Sequence, residues 1–195
     1  MTIICIAGLT GSGKNSAGEA LAKKLKLRLV SLTFKDYAKN EGVSLMDVQK
    51  KAGQDRQMDL DFDARVVEAA AKGNCIVTTW LGPWMVKNAD LRVWINADEK
   101  VRASRIAKRD GMNEQEALVH VRARDADNRA RYRKYYGIDI NNHANFDLEL
   151  DSSKYSPKEL ASQIEKALRA KTPGAQLPAA DAAKFDGSKK KKKAV

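Results

Sequence analysis

A glycine-rich segment near the amino terminus constrains the fold of this chain more than any other feature. Residues 8–16 read Gly-Leu-Thr-Gly-Ser-Gly-Lys-Asn-Ser, directly after the apolar run Ile3–Ala7 and before a segment with an apolar residue at every fourth position. Glycines let such a loop curl until its backbone N–H groups converge on phosphate oxygens, and the following helix adds the positive end of its dipole. The segment therefore predicts a phosphate-binding loop between a strand and a helix.

The residue types in this loop indicate a nucleoside triphosphate as the ligand. Lys14 is expected to reach the β- and γ-phosphates of ATP and to neutralise charge as the phosphoryl group moves. A Ser or Thr usually follows the lysine and holds Mg²⁺; here Asn15 follows, and Ser16 supplies a hydroxyl one place later, as in adenylate and related nucleoside monophosphate kinases. Asp-x-x-Gly and Asn-Lys-x-Asp do not occur, which disfavours a GTPase. The residues predicted to bind ATP are Gly8, Leu9, Thr10, Gly11, Ser12, Gly13, Lys14, Asn15 and Ser16, with Ser16 also assigned to Mg²⁺.

Short apolar runs alternate with amphipathic segments along the first 170 residues. The apolar runs at 3–7, 27–31, 75–79, 91–95 and 146–150 predict five strands, and Ala17, Leu21 and Leu25 share one face of a helix that follows the first strand. The same spacing over 160–168 predicts another helix near the end, and Ser156 with Glu159 predicts its N-terminal cap. This alternation is typical of a parallel sheet with crossover helices. The predicted fold is an α/β, P-loop NTPase-like parallel five-stranded sheet with flanking helices.

Charge and composition limit the possible domain organisation and location of the chain. The 195-residue chain has a formal net charge of +11, and residues 171–195, with seven lysines and two aspartates, carry +5 of it. We therefore predict a domain over 1–170 and a disordered Lys-rich tail over 171–195. No run of about 18 apolar residues suggests a membrane span, and no signal peptide is recognised. The two cysteines lie in apolar runs and neither histidine has a metal-ligand pattern, so we expect a cytoplasmic protein.

The rest of the chain resembles cytidylate kinases of the archaeal type over roughly residues 2–170. Its most distinctive pieces are a Tyr-Gly-Ile-Asp-Ile run at 136–140 and a Ser-Lys-Tyr-Ser-Pro run at 153–157. Further similar stretches lie at 91–95, 101–111, 116–118, 131–135 and 146–152. The resemblance implies the same fold, with a small acceptor-binding helical insert and a mobile lid that excludes water from the transferring phosphate.

Phosphoryl transfer between two anions requires positioned positive charge, and the arginine fork grips phosphate at two points. By the resemblance, the lid over 122–131 supplies catalytic arginines beside Lys14, and the preceding helix supplies arginines that help to bind ATP. Spacings of three, four and seven place these arginines on shared helix faces. An alternative is a solvated basic helix held by acids such as Asp125 and Asp127. The catalytic candidates are Lys14, Arg122, Arg124, Arg129 and Arg131, and the additional ATP-binding candidates are Arg105 and Arg109.

The acceptor side departs from the archaeal pattern. Relatives tend to read Leu-Glu-Gly-Arg after the third strand, whereas this chain has Thr78 in place of the acid and Trp80 in place of the arginine. Trp80 is suited either to stacking on a base or to packing at a strand end. Lys35 is a substitute point charge for the acceptor phosphate, and the insert carboxylates are suited to a cytosine edge, a ribose or surface salt bridges. The acceptor-binding candidates are Ser31, Lys35, Asp36, Asp59, Asp63 and Trp80.

These features predict a magnesium-dependent kinase that transfers the ATP γ-phosphoryl group to a nucleoside monophosphate, CMP or dCMP. One alternative is a kinase of another small acceptor, such as AMP. Another is a catalytically weak ATP-binding module with an RNA- or ribosome-associated role, which the Lys-rich tail would serve through weak RNA contacts. We expect a monomer.

Overall fold

The computed structural model describes residues 1–34, 37–38 and 42–173. It contains a five-stranded parallel sheet in the order β2-β3-β1-β4-β5. The strands are β1 (Ile3–Ala7), β2 (Arg28–Val30), β3 (Cys75–Val77), β4 (Leu91–Asn96) and β5 (Leu148–Asp151). The α/β prediction and all five predicted strand positions are confirmed, with ends that differ by one or two residues.

Helices surround this sheet and connect its strands. In chain order they are α1 (Lys14–Leu25), α2 (Leu45–Gln54), α3 (Arg56–Ala71), α4 (Gly82–Met85), α5 (Glu99–Asp110), α6 (Glu114–Tyr136) and α7 (Pro157–Lys171). None of the helices within the described ranges has both the length and the apolar character that a membrane span requires. The predicted tail lies, from residue 174 onward, outside the described residues, so its character remains a prediction.

The central strand β1 is buried along its whole length, because helices cover both faces of the sheet. Ile4 and Ile6 point into the layer that contains α1 and α7. Ile3 and Cys5 point into the opposite layer, against Val66 of α3. The buried apolar stripes predicted for α1 and α7 provide the first of these contacts.

Two long helices begin with the same reciprocal cap. In α7 the Ser156 hydroxyl accepts from the Glu159 N–H while the Glu159 carboxylate accepts from the Ser156 N–H, and α6 repeats this arrangement with Asn113 and Glu116. Each reciprocal cap provides acceptors for two backbone N–H groups that the start of a helix leaves unpaired. The cap predicted at the start of α7 is confirmed, and the one on α6 sets where the arginine-bearing helix begins.

Helix α1 approaches β3 so closely that residue 18 must lack a side chain. A Cβ atom on Gly18 would lie 2.2 Å from Cγ2 of Thr78. We expect Gly18→Ala to lower the free energy of unfolding by about 1–3 kcal/mol through overpacking, measured by urea denaturation. The matched control is Gly53→Ala in α2, where the nearest atom to the added Cβ is 3.9 Å away and alanine favours the helix. Equal stability of the two variants would contradict the close packing.

Candidate functional site

A cavity of about 500 Å³ opens where the carboxyl ends of β1 and β3 meet α3, α5 and α6. Ligands bind at this edge of open parallel sheets because loops and helix starts converge there. It brings together most of the predicted site residues: Thr10, Gly11, Gly13, Lys14, Asn15, Ser16, Asp59, Asp63, Trp80, Arg105, Arg109, Arg124 and Arg131. The predicted residues Gly8, Leu9, Ser12, Ser31, Arg122 and Arg129 do not line it, and Lys35 and Asp36 lie outside the described residues.

The glycine loop has the curled shape that its sequence predicts. Gly11 and Gly13 adopt φ values of +77° and +86°, a left-handed conformation that residues with side chains rarely adopt. A Cβ atom on Gly11 would also lie 2.7 Å from the carbonyl oxygen of Arg102. Gly13 is the N-cap of α1, so the loop places its amides and the start of a helix at one wall of the cavity.

Two cations in this wall are poorly compensated. The ammonium of Lys14 makes no hydrogen bond or ion pair within the described residues, and burial, with repulsion from Arg124, lowers its pKa to about 8. Burial also lowers the pKa of Arg124, and its buried Nε has no hydrogen-bond acceptor among the described residues. Two cations held together and partly desolvated are unfavourable unless an anion joins them. This wall is therefore suited to a polyanionic ligand.

A buried ion pair fastens the loop to α6. Nη1 of Arg102 lies 2.6 Å from a carboxylate oxygen of Asp125 and donates to the carbonyl of Thr10 at 3.0 Å. The other Asp125 oxygen accepts from the Thr10 N–H at 3.1 Å. The sequence pattern indicated Asp125 only as a surface partner of basic residues and did not predict this role. A signal was present, because Asp125 continues the buried face of α6 that contains Ala117 and Val121.

The two arginines predicted on α5 have different surroundings. Arg105 donates to both the hydroxyl and the carbonyl of Ser152, at 2.8 and 2.7 Å, and to the loop carbonyls of Gly11 and Ser12. Arg105 thereby fixes the outer side of the loop while its side chain lines the cavity. Arg109 also lines the cavity, and its exposed guanidinium forms an ion pair with Asp110.

Of the four predicted catalytic arginines on α6, two reach the cavity. Arg124 and Arg131, seven residues apart, share the inner face of the helix. Arg122 lies on the outer surface and pairs with Glu99 at 2.7 Å, with 62% of its side chain exposed, and Arg129 is exposed on the same side. Sequence spacing grouped the pairs correctly, but it did not indicate which pair faces inward. The region predicted as a lid is part of one continuous 23-residue helix.

The part of the cavity that contains the predicted acceptor-binding residues Asp59, Asp63 and Trp80 is called the acceptor half below. It contains carboxylates on α3 that contact α6. Asp59 lies 2.7 Å from Nε of Arg131, and Asp63 accepts from the Tyr136 hydroxyl at 2.5 Å. Burial raises the pKa of each carboxyl to about 6, against the opposing effects of Arg131 and, at Asp63, of the Tyr136 hydrogen bond. The sequence pattern allowed a salt-bridged surface helix here, whereas both carboxylates are buried.

Aromatic side chains form the rest of this half. Phe34 and Phe62 meet edge to face with ring centroids 4.9 Å apart. Trp80 is partly exposed to the cavity, packs beside Tyr132 with centroids 6.2 Å apart, and has the Lys14 ammonium 5.4 Å from its ring centroid. One part of the Trp80 ring therefore packs at the strand end and another part faces the cavity, and stacking of Trp80 on a base stays a prediction.

The remaining predicted residues lie at the margin of the cavity. The side-chain amide of Asn15 donates to the Ser31 hydroxyl at 3.4 Å, so Ser31 contacts the loop from outside the cavity lining. Ser16 is exposed and lines the cavity, two residues after the loop lysine Lys14. Within the described ranges no three His, Cys, Asp or Glu side chains are grouped to hold a metal ion.

Desolvation of Asp63 predicts a pH-dependent stability. Its folded pKa of about 6 lies above the ordinary value of 3.8, so the folded state binds a proton more tightly than the unfolded state and stability falls as the pH rises from about 4 to 6. We expect Asp63→Asn to be more stable than the unaltered chain at pH 7.5, by about 1–3 kcal/mol, and to lose this advantage by pH 4. Urea denaturation at pH 7.5 and pH 4 measures the free energy of unfolding of both proteins. A difference between them that does not change with pH would contradict the raised pKa of Asp63.

Comparisons with known proteins agree with this geometry. The model of the cytidylate kinase-like family matches residues 3–154. The cytidylate kinase of Pyrococcus horikoshii is 39% identical over 168 residues, which cover 85% of this chain and 88% of the relative. The cytidylate kinase of Pyrococcus abyssi is 40% identical over 168 residues, which cover 85% of this chain and 93% of the relative.

Solved structures support the fold independently of sequence. A shikimate kinase from Acinetobacter baumannii superposes with a TM-score of 0.61 at 14% identity, over 89% of this chain and 96% of that one. A shikimate kinase from Aquifex aeolicus superposes with a TM-score of 0.56 at 18% identity, over 87% of this chain and 97% of the shikimate kinase. At these identities the likeness concerns the fold alone. The family model and the relatives of about 40% identity decide the family: this chain belongs to the cytidylate kinase-like family.

Proposed function

We propose that this protein is a nucleoside monophosphate kinase that transfers the γ-phosphoryl group of ATP to CMP or dCMP. The observation that carries the proposal is the pair of poorly compensated cations, Lys14 and Arg124, which line one cavity with the glycine loop and with the acceptor-binding candidates Asp59 and Asp63. Catalysis of phosphoryl transfer consists mostly of positioning and charge stabilisation. Cations whose charge is poorly compensated among the described residues meet that requirement.

In the proposed reaction an oxygen of the acceptor phosphate attacks the γ-phosphorus of ATP. The bond from this phosphorus to the β–γ bridging oxygen breaks, which yields ADP and CDP. In this proposal the loop amides and Lys14 bind the donor phosphates, and Arg124 and Arg131 act on the acceptor phosphate. Arg105 and Arg109, which line the same cavity, assist in binding ATP. The Arg102–Asp125 pair positions the loop without touching the reacting atoms.

The residues present fit a magnesium ion that is held largely by the nucleotide. Mg²⁺ keeps several waters and takes few protein ligands beside substrate phosphates, and the exposed hydroxyl of Ser16 at the cavity wall is a suitable ligand. When bound, the ion would neutralise charge on the transferring phosphates. The ammonium of Lys14 and the start of α1 provide the complementary positive field for ATP.

The named relatives favour a cytidine nucleotide as the acceptor, because they are cytidylate kinases. None of the reported comparisons points to an RNA- or ribosome-associated module or to a kinase specific for AMP. The monomeric state, weak RNA contacts through the Lys-rich tail and a cytoplasmic location stay predictions from sequence.

Initial rates of ADP formation test the proposal, with CMP, dCMP, UMP, AMP and GMP each supplied with ATP and Mg²⁺. We expect CMP or dCMP to give the highest kcat/KM. Arg124→Ala is expected to lower kcat by about 10²–10³-fold, as loss of a donor to the transition state does elsewhere. Arg129→Ala, an exposed arginine on the outer side of the same helix, is the matched control and should retain the rate. ATP binding without turnover of any monophosphate would contradict the proposal.

A further inference from the structure

Gln49 is a buried polar residue of the acceptor half to which the sequence pattern gave no role. It lies on α2, is 5% exposed, and lines the cavity. Its side-chain Nε2 is 3.5 Å from Oδ2 of Asp127, whereas its carboxamide oxygen is buried and has no donor among the described residues. Buried carbonyl oxygens are nearly always satisfied in folded proteins, so a donor supplied by a ligand is the natural partner.

The orientation of this carboxamide is determined by its neighbours. Asp127 also accepts from Nη1 of Arg131 at 2.6 Å, and an ionised carboxylate accepts hydrogen bonds but donates none. The amide must therefore turn its NH₂ group toward Asp127, which leaves its oxygen for the cavity. Arg131 is itself held by Asp59 at 2.7 Å. This chain of contacts runs from α3 through α6 to α2 and prevents Gln49 from exchanging its donor and acceptor ends.

The surroundings of Gln49 in the acceptor half are rich in hydrogen-bond acceptors. Asp59 and Asp63 contribute carboxylate oxygens, and the buried Thr78 hydroxyl oxygen has no partner among the described residues. Phe34 and Phe62 supply an apolar wall beside these groups. An apolar wall with acceptors at its edge is suited to a flat heterocycle that presents N–H donors.

We propose that Gln49 is a specificity-determining residue that accepts a hydrogen bond from an exocyclic amino group on the base of the acceptor nucleotide. This inference rests on the proposed function and names the part of the acceptor that the cavity distinguishes. Cytosine carries an amino group at the position where uracil carries a carbonyl oxygen. A base with a carbonyl there places two acceptors against each other and leaves the Gln49 oxygen unsatisfied, which is how a polar site discriminates against near-identical ligands.

The test is the ratio of kcat/KM for CMP to kcat/KM for UMP. Gln49→Met keeps the length and most of the volume of the side chain and removes the acceptor, and we expect it to lower this ratio about tenfold, the effect of losing one well-formed hydrogen bond. Gln54→Met makes the same change at an exposed position of the same helix and should leave the ratio unchanged. Gln49→Leu also removes the acceptor, with a different side-chain shape, and is expected to lower the ratio by a similar factor.

The outcomes separate this inference from the proposed function. Turnover of CMP with an unchanged ratio in Gln49→Met, or equal losses for CMP and UMP, would overturn the role of Gln49 and leave the kinase activity standing. Absence of turnover with every monophosphate in the unaltered chain would overturn both. Thermal unfolding of each variant shows whether the fold is intact, and if Gln49→Met does not fold, an unchanged ratio in Gln49→Leu would decide against the proposal.

Discussion

Replacing Lys14 by alanine is expected to lower kcat about 10³-fold or more and to weaken ATP binding. The side chain is the cation of the glycine loop, lines the cavity, and makes no hydrogen bond or ion pair within the described residues. Transition-state charge that loses a preorganised cation is destabilised by several kcal/mol in a site that excludes water. Steady-state kinetics with ATP and CMP, together with titration of ATP binding by calorimetry, measure the two effects.

Burial of Lys14 adds a second signature to this prediction. Its pKa of about 8 without nucleotide lies below the ordinary value of 10.5, and phosphate oxygens placed beside the ammonium raise it. ATP binding at pH 8.5 is therefore expected to take up a proton, detectable as a buffer-dependent binding enthalpy that Lys14→Ala abolishes. Lys108→Ala, an exposed lysine on α5, is the control. Unchanged kcat and ATP affinity in Lys14→Ala would contradict the assignment of the loop.

Removing the carboxylate of Asp125 is expected to cause the largest loss of stability among the changes considered. In Asp125→Ala the guanidinium of Arg102, only 6% exposed, stays buried without its ion-pair partner, and the Thr10 N–H loses its acceptor. Such uncompensated charges lower the free energy of unfolding by about 3–5 kcal/mol. Urea denaturation measures this loss, and a rise in the dissociation constant for ATP reports the release of the loop from α6.

A double replacement distinguishes a buried charge from a packing defect. Arg102→Met combined with Asp125→Leu removes both charges and is expected to recover much of the stability lost in Asp125→Ala, because buried ion pairs are often replaceable by apolar residues. Glu99→Ala, which breaks the exposed pair with Arg122, should change stability little, because solvent screens exposed ion pairs. Similar losses in Asp125→Ala and Glu99→Ala would contradict the role of the buried pair.

The local chemistry of the glycine loop was predictable from sequence, since its determinants lie within nine consecutive residues. Gly11 and Gly13 occupy left-handed conformations, and the lysine that follows lies at the start of α1. The apolar periodicity of α1 and α7 likewise specified which faces would be buried. Sequence neighbours interact through spacings that a reader of the sequence can count.

The inward face of α6 was not predictable in the same way. The arginine pairs at 122 and 129 and at 124 and 131 have identical spacing, and α6 as a whole lacks a clear apolar stripe. The choice between them depends on Asp125, whose contacts with Arg102 and Thr10 join residues more than twenty positions apart. The orientation of Gln49 depends in the same way on Asp127 and Arg131.

By itself the sequence determined the strand-loop-helix unit that is built to bind phosphate, the parallel α/β architecture and, through its resemblance, the family. The tertiary structure alone decided which arginines reach the cavity, that Asp59 and Asp63 are buried beside Arg131, and that Asp125 joins the loop to α6. The physical reason is how far apart along the sequence the interacting residues lie. Backbone conformation and amphipathic periodicity are properties of neighbouring residues, whereas burial and ion pairing depend on how distant segments pack together.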